Sequence, residues 1–197
     1  PWSGRLGRRN GRHRCNRCCS PMLDKERGKI CRKAFKYRAR IRSRQDKALN
    51  NSPRAVLDTN VVLDWFVFRN PGVAPLVQAI ESGRLHWLSC TEMQAELGHV
   101  LAHGTFGGRL VDAERVLTSS RTHCTWAALP SGLPAHRLRC SDVSDQMFID
   151  LALEYGADWL LTRDRALLKL ARKAALWGLR IGPPEAWIAH PDATAPG

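Results

Sequence analysis

No apolar run in the 197-residue chain approaches the ~20 residues needed to span a bilayer, so a membrane-embedded function is excluded. The N-terminus lacks the apolar core of a secretory signal, because basic residues interrupt every short apolar stretch. A disulfide framework is missing as well: the seven cysteines are odd in number, and four crowd into Cys15, Cys18, Cys19 and Cys31. Cys90, Cys124 and Cys140 stand alone in apolar or loop settings and read as reduced filler, a pattern that suits a cytoplasmic protein. There is no internal repeat. The histidines show no metal spacing, since His99 and His103 lie four apart but lack the glutamate of a zinc-protease helix.

What is abundant is positive charge, and it is confined. Residues 1–53 carry 17 Lys/Arg against 3 Asp/Glu, while residues 54–197 carry 14 against 15. The net charge of +13 therefore belongs to the N-terminal quarter, and nothing about partners of the remainder follows from it. A boundary falls at Asn50-Asn51-Ser52-Pro53. Before it, the Arg/Gly-rich sequence offers little for a core, apart from a charged helix over roughly 24–49, and disorder is expected. His13, Cys15, Cys18 and Cys31 could supply zinc ligands, but the second half of such a site lacks a closely spaced pair. An Arg-rich arm binding RNA through its charge fits better. The chain opens at Pro1, so a leader read through from a misplaced start fits as well. The expected layout is a leader (1–53), a folded domain (54–190) and a short tail (191–197).

After residue 53 apolar periodicity changes type repeatedly. Short strand patterns (54–57, 85–89, 122–128, 158–161, 179–181) alternate with helical ones (73–81, 91–103, 111–120, 145–155, 165–175 and a short helix opened by Pro183-Pro184). Thr91 reads as the cap of its helix. Such alternation predicts an α/β fold, a three-layer α/β/α sandwich on a mostly parallel sheet. Active groups in such folds gather outside the carboxyl ends of the strands.

Two acidic residues stand at those ends: Asp58 in Val56-Leu57-Asp58-Thr59-Asn60, and Asp164 in Leu161-Thr162-Arg163-Asp164. Asp145 opens a helix after Asp142-Val143-Ser144, and Glu96 borders the apolar face of its own helix. Four carboxylates with no matching basic cluster would repel one another, and a bound hard cation removes that cost. Oxygen-only ligands suit Mg²⁺ or Mn²⁺. Asn60 and Thr162, each two residues from a carboxylate, could orient those ligands, and Asp142 could assist. Taken singly, every one of these acids could instead be a helix cap or a solvent-facing charge.

The four segments together resemble PIN domains. Val56-Leu57-Asp58-Thr59-Asn60-Val61-Val62 is similar to the opening motif. Ala95-Glu96-Leu97-Gly98-His99-Val100-Leu101 resembles the internal Glu-Leu motif, in the branch assigned to toxins of toxin–antitoxin systems. Ser141-Asp142-Val143-Ser144-Asp145 and the run after it look like the third motif, Leu160-Leu161-Thr162-Arg163-Asp164 the fourth, and Gly182-Pro183-Pro184-Glu185-Ala186-Trp187 the usual ending. Glu92 rivals Glu96 but lies outside the Glu-Leu pair. The resemblance implies a Mg²⁺ or Mn²⁺ site made by Asp58, Glu96, Asp145 and Asp164, endonucleolytic hydrolysis of single-stranded RNA, a cognate antitoxin as partner and frequent homodimerisation. A DNA or structure-specific nuclease on the same site, or a non-catalytic RNA- or protein-binding module, are the alternatives. Because the domain carries no net positive charge, RNA contacts are expected from local residues such as Arg69, Arg163 and Arg165. Of the tryptophans, Trp65 is the one expected near the substrate path, while Trp87 and Trp159 read as core.

Overall fold

Alternate side chains of a buried strand point to opposite faces, and here that alternation sorts the core into two layers. In the computed structural model, which describes residues 52–130 and 138–188, five short strands form one parallel sheet. They are β1 (Arg54–Leu57), β2 (His86–Ser89), β3 (Cys124–Trp126), β4 (Trp159–Leu161) and β5 (Arg180–Gly182), in the order β3-β2-β1-β4-β5. The helices are α1 (Thr59–Phe66), α2 (Ala74–Glu81), α3 (Thr91–His103), α4 (Ala113–His123), α5 (Gln146–Glu154), α6 (Arg165–Leu168), α7 (Ala171–Ala174) and α8 (Pro184–Ile188).

Ala55, Leu57, Trp87, Trp159 and Leu161 face one layer, packed against Val62 of α1, Leu76 of α2, Leu97 of α3 and Trp187 of α8. Val56, Leu88, Leu160 and Ile181 face the other, against Phe148, Ile149 and Leu151 of α5, Leu167 of α6 and Ala174 of α7. Apolar residues thus occupy both faces of every central strand, as a parallel sheet covered on both sides requires. Trp87 and Trp159 are core residues, and Cys90 is buried while Cys124 and Cys140 are half-buried free thiols. Among the described residues no helix is long and apolar enough to cross a membrane.

Strand order fixes where a site can form. From β1 the chain adds β2 and then β3 on one side, and later β4 and β5 on the other. The direction of winding therefore reverses at β1, and loops leaving β1 and β4 diverge to leave a crevice at their carboxyl ends. Register aligns Leu57 with Leu161, and the Asp58 amide donates to the Leu161 carbonyl at 2.9 Å. Asp58 and Thr162 are in this way brought side by side.

Several local details differ from the sequence reading. The helix over Thr59–Phe66 was missed because its β-branched and aromatic residues suit a strand as well. Thr91 is the first helical residue; Cys90 occupies the cap position and no side chain caps that end. The expected helix over 165–175 is two, because the Leu170 amide bonds the Leu167 carbonyl three residues back and so tightens the turn that ends α6. The charged helix over 24–49, the zinc and arm readings of residues 1–53, and the tail at 191–197 lie outside the described residues.

Candidate active site

Asp58 stands at the N-terminal boundary of α1 with extended backbone, yet its side chain makes no capping hydrogen bond. Instead its Oδ2 accepts from the Thr162 hydroxyl and, at 2.6 Å, from the Asn60 side-chain amide. The carboxylate is 5 % exposed. Burial raises its pKa, against the lowering effect of those two donors. With no cap bond, the orientation of the Asp58 side chain is set jointly by Thr162 after β4 and by Asn60 on α1.

Thr162 and Asn60 each do two jobs. The Thr162 hydroxyl also accepts from the Asp164 amide at 2.8 Å, and the Asn60 carbonyl oxygen accepts from the Arg163 amide at 3.2 Å. Asp164 does cap its helix, its Oδ1 accepting from the Ala166 and Leu167 amides at 2.6 and 3.1 Å. That bond fixes the carboxylate at the lip of the crevice, within electrostatic range of Asp58.

Glu96 reaches the same lip from α3. It is half-buried, the Thr59 side chain hydrogen-bonds its carboxylate, and its Oε2 is buried with no hydrogen-bond partner. Burial first, then the nearby charges of Asp58, Asp145 and Asp142, push its pKa up to about 7. Glu92, one turn earlier, is exposed. Asp145 lies at the start of α5 and makes no capping bond; burial and then Asp58, Asp142 and Asp164 push it up to about 6. Asp142 is exposed, and its Oδ1 takes the Ser144 amide and hydroxyl at 3.0 and 2.6 Å, which lowers its pKa. Four carboxylates from four elements thus sense one another at a single edge of the sheet. Thr59 was not singled out by the sequence; its adjacency to Asp58 was the only signal.

Two residues expected near RNA have other partners within the chain. Arg163 does not present its guanidinium to the crevice: Nε donates to Asp64 at 2.9 Å, and the two terminal nitrogens donate to Glu185 at 2.7 and 3.2 Å. Arg165 is exposed beside Asp164. Trp65 lies away from the carboxylates. It sits near the far end of α1, ~10 Å along the helix from Asp58, stacked on Phe66 with ring centroids 4.3 Å apart and edge-on to His123. There it lines a cavity of about 670 Å³ with Arg69, Arg109 and Arg115.

As the side chains are placed, no group of three or more His, Cys, Asp or Glu among the described residues is close enough to hold a metal ion. Their chemistry nevertheless fits one. The donors are all carboxylate oxygens, one of them is buried without a partner, and Glu96 and Asp145 have raised pKa values, from burial first and from the neighbouring acids second, both of which a bound cation would offset.

The domain is an all-parallel, doubly wound α/β fold with acids at its winding reversal, an architecture that a nuclease-type domain shares. The model of the PIN domain family matches residues 54–166, more than half of the chain, and the chain belongs to that family. No curated protein and no solved structure matches the chain. The sheet continues past the matched region with β5 and α8.

Proposed function

We propose that this protein is a Mg²⁺- or Mn²⁺-dependent endoribonuclease that hydrolyses phosphodiester bonds of single-stranded RNA, and that it acts as the toxin of a toxin–antitoxin pair. The observation that carries the reading is the partnerless Oε2 of Glu96, desolvated and facing the charges of Asp58 and Asp145. A binding-only domain has no use for so costly an arrangement.

In this reading Asp58, Glu96, Asp145 and Asp164 hold the cation, with Asp142 at the rim. The divalent ion supplies Lewis acidity toward the scissile phosphate and toward water. Thr162 and Asn60 both bond Oδ2 of Asp58 and so fix the direction of its other oxygen. Without a cation Glu96, at about 7, is part-protonated near neutral pH and Asp145, at about 6, is mostly ionised, so a proton is released chiefly from Glu96 as the site fills. Arg165 contacts phosphate beside Asp164, while Arg163, occupied by two carboxylates, does not. Toxicity in the cytoplasm would require a cognate antitoxin protein to cover this crevice, and a homodimer is the expected assembly.

The test is cleavage of single-stranded RNA by the full chain with Mn²⁺ or Mg²⁺, beside Asp58→Asn and Asp145→Asn. Cleavage that chelation abolishes and that both variants lose, with circular dichroism unchanged, supports the proposal. Equal cleavage by the variants overturns it, and cleavage of DNA in preference to RNA would move the substrate class.

A further inference from the structure

Arg163 lies between two residues of the site and contributes nothing to the crevice itself, which raises the question of what it does. Its guanidinium reaches away from the sheet edge to Asp64 on α1 and to Glu185 on α8. The Glu185 contact is two-pronged, at 2.7 and 3.2 Å, the geometry in which an exposed Arg–carboxylate pair holds a fixed orientation. Each partner pulls the other toward its charged form: Arg163 is pushed up by Glu185, and Glu185 is pushed down by Arg163. The same residue's backbone amide donates to Asn60, whose amide donates to Asp58.

The geometry points to Asp64 and Glu185 as positioning residues: through Arg163 they latch the loop 162–164 onto α1 and α8, and so hold the Asn60–Asp58–Thr162 hydrogen-bond set in register. The role assigned here rests on the nuclease reading only for its consequence in catalysis; the latch itself is a property of the folded chain. Strand β4 is three residues long, so the loop that follows it has little regular structure to hold it. Asn60 and Thr162 can orient Asp58 only while that loop stays against α1. Glu185 comes from the opposite end of the domain, 22 residues beyond Arg163, and lies outside the region that the family model matches. The end of the chain's described structure is thereby coupled to the carboxylate at its beginning.

The experiment is amide hydrogen exchange on the full chain without metal, comparing wild type, Glu185→Gln, Asp64→Asn and, as a control remote from the latch, Glu81→Gln. Loosening the latch should speed exchange at the Arg163 and Asp164 amides about tenfold in the first two variants. The Leu161 amide in the core should not change, and Glu81→Gln should match wild type. The second readout is Mn²⁺ binding by calorimetry, expected to weaken roughly tenfold in Glu185→Gln, as for loss of a group that orients a ligand. A lower kcat with unchanged KM for RNA should accompany it. Exchange at Arg163 and Asp164 that stays at the wild-type rate in both latch variants overturns the latch. A wild-type chain that binds no Mn²⁺ sinks the nuclease reading while leaving the exchange result to decide the latch. A KM that rises with kcat intact in Glu185→Gln makes Arg163 a substrate contact and overturns the positioning role.

Discussion

Replacing Glu96 with glutamine should stabilise the metal-free protein while removing its function. In the native state the Glu96 carboxyl titrates at about 7, against 4.5 when unperturbed. A native pKa above the unfolded one means that the folded protein holds the proton more tightly. The associated stability is complete below pH 4.5 and is lost as pH rises through about 7. Each unit of displacement corresponds to ~1.4 kcal/mol, which puts a ceiling of roughly 3 kcal/mol on the cost of ionising the folded protein. Glu96 is only half-buried, and solvent screening brings the figure to ~1–2 kcal/mol. Glutamine keeps the shape and can still bond Thr59, but it never ionises. In the presence of EDTA at pH 8, Glu96→Gln should therefore melt ~3–6 °C above wild type for a domain of this size. At pH 4, where Glu96 is neutral in both states, the two should coincide. Differential scanning calorimetry at the two pH values decides the matter. A variant that melts below wild type at pH 8, or a gain equally large at pH 4, would show that Glu96 does not sit in an uncompensated field, and the argument for a cation would lose its main support.

Other expectations follow from the same groups. Because protons on Glu96 and Asp145 compete with a cation, calorimetric Mn²⁺ affinity should climb most steeply below about pH 6, more gently to about pH 7, and level off above; affinity independent of pH would place the cation elsewhere. Thr162→Val removes the hydroxyl shared by Asp58 and the Asp164 amide, so cleavage should fall ~10–100-fold and stability by ~1–3 kcal/mol in urea titrations. Ser120→Ala strands the buried Oε1 of Gln94 and should cost ~1–3 kcal/mol with cleavage intact, separating fold from site. Phe148→Ala empties a fully buried position between α5 and the sheet and should cost ~3–5 kcal/mol in the same titration.

The sheet could be read from the chain because parallel strands buried on both faces are short, apolar and flanked by turns, and all five were anticipated within a few residues. Helices depended on length and residue type. α3 was evident from Met93, Leu97 and Leu101. α1 was not, since Val61, Val62, Trp65 and Phe66 suit a strand as well as a helix and only packing decides between them. At the candidate site the acidic residues could be named from order and type along the chain, and their long-range partners could not. Asp58 looked like a cap, and what removes it from that role is Thr162, 104 residues away. Arg163 looked like a phosphate ligand because it flanks Asp164. Its actual partners, Asp64 and Glu185, lie on elements whose proximity no local pattern records. Trp65 was drawn toward the site by its nearness in sequence to Asp58, although one helix of eight residues carries it to the other end of the layer.

The central place of β1 also governs when the protein can become active. On the ribosome β1 emerges early, yet its second neighbour is made roughly 100 residues later. A nascent chain that stops short of Trp159 possesses Asp58, Glu96 and Asp145 but not the strand that aligns Asp58 or the threonine that grips it. Assembly of the acidic crevice is thus deferred until nearly the whole domain has been synthesised.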